Sequence, residues 1–131
     1  MSLTLSEANS IVSGALAKGK ELNIKISAAV VDAGGRLLAF QRMEDATWAS
    51  VYGSQGQAVA SVGFGQPSAA IQPRADAPII RGIVAAEGGH MIPSQGAVPI
   101  FRDGILIGAC GVGGGTAQED EDCSTAGIAQ L

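Results

Sequence analysis

Apolar residues recur at helical spacing near the start of the chain. Leu5, Ala8, Ile11, Val12, Ala15, Leu16 and Leu22 fall on one face. Thr4-Leu-Ser-Glu7 precedes them as a capping box, in which each side chain takes the other residue's backbone N–H. A first helix is predicted there, with Gly19 weakening its last turn. The period then changes. Ile26–Val31 is apolar without alternation, as in a strand covered on both faces. Asp32-Ala-Gly-Gly35 supplies a turn and Leu37–Phe40 the returning strand. Arg42–Trp48 is a polar, irregular link. Ala49–Phe64 reads as a helix on Val51, Ala58, Val59 and Val62. Its glycines, Gly53, Gly56 and Gly63, make it depend on packing and admit close approach of another backbone. Gly65–Ala77 reads as a loop and Pro78–Ala86 as a short helix. Gly88–Pro93 reads as a second loop, with room for a strand near Met91. The stretch Gly96–Asp122 carries another hairpin around Arg102-Asp103-Gly104 and a cluster of Gly108, Gly111, Gly113, Gly114 and Gly115. A second capping box, Thr116-Ala-Gln-Glu119, opens a last helix running to about Leu131. Hairpins separated by helices predict an α+β layered fold rather than a doubly wound parallel sheet.

A chain of 131 residues is one domain, 1–131, large enough for a core without staples. Composition adds an expectation about assembly. With 47% hydrophobic and 15% charged residues, part of the surface is expected to be covered by other copies of the chain. The net charge is −4 and the eight Lys and Arg are scattered, which disfavours nucleic acid and a basic membrane contact. No run approaches the ~20 apolar residues of a membrane span, and Met1–Ser10 lacks the pattern of a secretory leader. A cytoplasmic protein is expected. Two cysteines, Cys110 and Cys123, do not make a disulfide framework.

Several residues carry candidate chemistry, each with a plainer reading beside it. The backbone N–H groups of Gly113–Thr116 could cradle an anion at a helix start. However, Thr116 stands where a dinucleotide fingerprint needs its third glycine, no lysine follows as in a P-loop, and four acids crowd the turn. Close strand–helix packing is the alternative use of these glycines. His90, the sole histidine, could ligate haem iron or another metal, act as a general base, or be a solvent-exposed loop residue. No zinc pattern surrounds it, and no metal site is expected. Arg42 could clamp a carboxylate or pair with Glu44 or Asp45. Glu119–Asp122 either offers oxygens to a metal or complements the helix dipole. Cys110 could be nucleophilic with His90 as its base, or be buried and inert.

The pattern AAVVDAGGRLLAFQRME, then Gly56-Gln57-Ala58 with Phe64-Gly65, then GAVPIFRDGILIGACGVGGGTAQEDEDCSTAGI resembles the GlcG/HbpS family over nearly the whole chain. That family includes haem-binding proteins and the C-terminal domain of PduO-type cobalamin adenosyltransferases. The resemblance implies a profilin-like fold, a central antiparallel sheet of about five strands with helices on both faces. It further implies homo-oligomers, from dimers to rings such as octamers, and haem or a corrinoid as cofactor. The chain departs from the common pattern at Gln57, Ala97, Cys110 and the segment Ile80–Gln95. The expected function is therefore an oligomeric small-ligand-binding or accessory protein for haem or a related tetrapyrrole. Arg42, His90 and the Gly113, Gly114, Gly115 and Thr116 backbone are the candidate ligand-binding groups. The alternative is a catabolic enzyme acting on a small organic acid. Arg42 would then hold the carboxylate, and His90, Glu44 or Asp120 would move the proton.

Overall fold

A computed structural model describes residues 2–131, and both capping boxes form in it. Helix α1 spans Leu5–Glu21, with Thr4 and Glu7 bonded reciprocally at 3.0 and 3.1 Å. Helix α5 spans Ala117–Ile128, opened in the same way by Thr116 and Glu119. Between them the chain makes strands β1 (Ser27–Asp32) and β2 (Leu37–Arg42) and helix α2 (Ala49–Phe64). Helices α3 (Ser68–Ile71) and α4 (Pro78–Ala86) and strands β3 (Ala97–Arg102) and β4 (Ile105–Gly113) follow. The stretch expected to be a loop after α2 thus holds α3 and one further 3-10 turn, Gln72–Arg74. The strand expected near Met91 does not form. Gly88 and Gly89 hold left-handed φ values of 70° and 81°, and Met91 is buried with Ala60, Ile71 and Ile80 rather than paired in the sheet.

The sheet is antiparallel with order β2-β1-β4-β3, four strands rather than the five expected. Each hairpin closes for a local reason. In the first, Asp32 Oδ1 accepts the N–H groups of Gly34 and Arg36 at 2.9 and 3.0 Å, an Asx turn. In the second, Asp103 and Gly104 both adopt positive φ (51° and 76°), which suits the right-handed twist of the flanking strands. The two central strands are covered on both faces. Toward α1 and α5 they send Ala28, Val30, Cys110 and Val112, which pack with Ile11, Val12, Ala15 and Cys123. Toward α2 they send Val31 and Ala109, which meet Ala58 and Val62. Gly111 and Gly113 face α2 as well: a β-carbon at Gly111 would come within 2.9 Å of Ala58 N, and one at Gly113 within 3.2 Å of Ser50 O. The glycines of β4 therefore serve close strand–helix packing. Helix α4 leans on the C-terminal half of α2 through Ile80 and brings the Glu87–His90 turn beside the first hairpin.

Candidate functional site

The sequence candidates separate into two places. Arg42 and Gly113 flank Ser27 in adjacent strands, so they share one end of the sheet. His90 lines a groove at the other end, against Val31 and Leu37. Ser27 and Val31 are four residues apart on β1, roughly 13 Å at about 3.3 Å per residue. One pocket of Arg42, His90 and the glycine run is therefore not assembled within a single chain.

At the Ser27 end, most of the polar groups already have partners. Arg42 Nη1 donates to Ala46 O at 3.2 Å. The Gly115 N–H donates to Asp120 Oδ1 at 2.8 Å, and the Thr116 N–H to Glu119 Oε1 at 2.9 Å. Two N–H groups of the candidate anion cradle, those of Gly115 and Thr116, are thus taken by the chain's own carboxylates. Asp120 is buried, and desolvation lifts its carboxyl to about 6, against the opposing Gly115 N–H, while the Glu119 charge adds to the rise. Glu44 is exposed in the link before α2. Burial also pushes the Cys110 thiol up to about 12 and Cys123 to about 11. Both stay protonated at neutral pH, so neither is poised as a nucleophile. Among the described residues no three His, Cys, Asp or Glu side chains gather as a metal-binding set.

At the Val31 end lies a groove of about 460 Å³. Val31, Leu37 and Val59 give it apolar walls, and Arg36, Glu87 and His90 give it polar edges. Two left-handed glycines turn the chain after α4 and carry His90 back toward the hairpin. Arg36 is fixed at its backbone by the Asp32 turn, and its Nη1 lies 3.2 Å from Glu87 Oε1. The groove thus brings an imidazole, a guanidinium and a carboxylate to the edge of an apolar wall. A wider trough of about 860 Å³ runs over α1 and α5, but serines and small residues line it and its Lys18 and Glu21 are paired with each other. It holds no imidazole or arginine. Arg36 is a groove-lining candidate that the sequence reading missed. The signal was the arginine at the fourth position after Asp32, which the Asx turn clamps.

The family model described as haem degrading protein HbpS-like matches residues 3–129. The chain belongs to the HbpS-like family. It is 32% identical over 122 residues to an uncharacterized 15.0 kDa protein of Citrobacter freundii from the dhaT-dhaS intergenic region, covering 90% of this chain and 84% of that one. It is 27% identical over 135 residues to the corrinoid adenosyltransferase PduO of the same organism, covering all of this chain and 39% of that one. A solved PduOC–haem complex superposes with a TM-score of 0.89 at 24% identity, covering 100% of this chain and 96% of that one. At that identity the likeness establishes the fold. Among the described residues, no helix is long and apolar enough to cross a membrane.

Proposed function

We propose that this protein binds a tetrapyrrole, with haem as the leading ligand and a corrinoid as the alternative, in the groove between the first hairpin, α2 and the turn after α4. The observation that carries this reading is the placing of the sole histidine, His90, in one groove with apolar walls and an arginine. A haem is a flat apolar ring bearing two carboxylates and an iron that takes an imidazole. His90 would hold the iron, Arg36 would neutralise one carboxylate, and Val31, Leu37 and Val59 would cover the ring and exclude water. Bound haem would supply redox chemistry that these side chains lack. Family membership and the haem-bound structural relative support the choice of ligand class. Self-assembly belongs to the same reading. Trp48 and Tyr52, 73% and 67% exposed, stack edge to face on the surface at the start of α2, as suits a contact between copies of the chain.

The test is a haem titration followed by absorbance. The purified protein is expected to give a saturable Soret band at micromolar haem. His90→Ala should shift that band and weaken binding by about tenfold or more, the effect of losing one good ligand. An unchanged spectrum on haem addition to the native chain would overturn the reading. The groove also admits an enzyme acting on a small organic acid. The juxtaposition of Arg36, Glu87 and His90 favours that reading over one centred on Arg42, because Arg36 would hold the carboxylate beside the imidazole.

A further inference from the structure

Arg36 and Glu87 face each other across the mouth of the groove, and their pairing is incomplete. The Arg36 side chain makes both of its protein hydrogen bonds through Nη1: to Gly34 O at 3.3 Å and to Glu87 Oε1 at 3.2 Å. Among the described residues, Nη2 and Nε keep their N–H groups for another acceptor. The Glu87 contact is made by one oxygen, and the Arg36 side chain is 72% exposed. A one-point ion pair in water is weak, whereas a carboxylate that takes two guanidinium N–H groups in parallel is bound more firmly. Glu87 also sits at the C-cap of α4, where the helix dipole disfavours an acid. Helix stability therefore does not account for an acid at this position. Its partner in the structure is Arg36.

We infer that Glu87 is a resident counter-ion which a carboxylate of the ligand displaces from Arg36, so that this pair selects carboxylate-bearing ligands for the groove. The inference rests on the tetrapyrrole reading but not on iron, so metal-free protoporphyrin IX is the probe, with its dimethyl ester as the neutral counterpart. Binding would be followed by porphyrin fluorescence in the native chain, Glu87→Gln, Arg36→Gln and the double variant. Circular dichroism would show that each is folded. Glu87→Gln should bind protoporphyrin about two- to fivefold more tightly, the range set by a half-exposed ion pair. Arg36→Gln should weaken it about tenfold. Glu87→Gln should bring no gain once Arg36 is gone, and neither change should alter ester binding. An unchanged or weaker Glu87→Gln, or a gain shared by the ester or surviving without Arg36, overturns the counter-ion role while leaving the tetrapyrrole reading intact. Failure of the native chain to bind either porphyrin overturns the counter-ion role, and the haem titration then decides the tetrapyrrole reading by itself.

Discussion

Gly111 on β4 lies directly under Ser54 of α2, and the Ser54 carbonyl oxygen stands where a side chain would go. Ala58 N and Cβ close the same space at 2.9 and 3.1 Å from an added β-carbon. Two of these atoms are backbone of α2 and the third is the Cβ of Ala58, so none can turn aside. Gly111→Ala should lift α2 from the sheet and cost about 3 kcal/mol, at the upper end of overpacking effects. Gly113→Ala meets Ser50 O and Ser54 N only at 3.2 and 3.3 Å and should cost about 1 kcal/mol. Urea denaturation of the two variants would show the order, and equal midpoints would contradict it.

Gly82 provides the opposite case. It lies inside α4, exposed, with nothing within 4 Å of an added β-carbon. Gly82→Ala should stabilise the protein by about 0.5–1 kcal/mol, because alanine has less backbone entropy to lose. The midpoint in the same denaturation assay should rise rather than fall.

These glycines show what the sequence could and could not disclose. Thr4 with Glu7, Thr116 with Glu119, and Asp103 with Gly104 act over three residues or fewer, so pattern alone located those helix starts and the second turn. The β4 glycines were legible as close-approach positions, but not their partner, since Ser50, Ser54 and Ala58 belong to an element far away in the chain. The same holds for the site. His90 stood out as the sole histidine, yet Arg36 gains its place only by meeting Glu87, 51 residues on. Arg42 was the more conspicuous arginine, followed by two acids, but it ends on the Ala46 carbonyl. Met91 lies where the sequence left room for a further strand, and it is buried. Its burial comes from α2, α3 and α4 rather than from a sheet.

Cys110 and Cys123 are fully buried in the core between the sheet and α5. With their thiols raised to about 12 and about 11, the thiolate that attacks an alkylating agent is scarce. Iodoacetamide at pH 8 should leave both unmodified over the time that a free thiol reacts fully, and should label both in urea. Mass spectrometry would count the adducts. Rapid labelling of Cys110 in the native protein would restore it as a candidate nucleophile.

Glu7 accepts the Thr4 N–H at the start of α1 and pairs with Arg102 at the end of β3. The Thr4 backbone bond, opposed by some desolvation and joined by Arg102, holds its carboxyl below the ordinary value of 4.5. A depressed acid contributes stability above its unfolded value and loses it as pH falls through the folded one. Glu7→Gln should therefore be less stable at pH 7, and its gap to the native protein should close on acidification below about 4.5. Thermal melts across that range would measure the gap. A gap independent of pH would assign the effect of Glu7 to packing.

Asp120 carries the opposite sign. Its folded value of about 6 lies above the unfolded 3.8, so the native state holds a proton that the unfolded chain has released. Stability from this group is present below about 4 and is lost as pH rises to about 6. Asparagine keeps an oxygen to accept the Gly115 N–H and removes the charge that burial penalises. Asp120→Asn should raise stability at pH 7 by about 1 kcal/mol, after discounting for solvent that reaches the carboxylate. The variant should also lack the loss between pH 4 and 6. Melting curves at pH 4, 5, 6 and 7 would compare the two proteins. If Asp120→Asn is destabilised at pH 7, the charged carboxylate is what the helix start requires, and the Gly115 and Thr116 N–H groups form an anion site that the chain itself occupies.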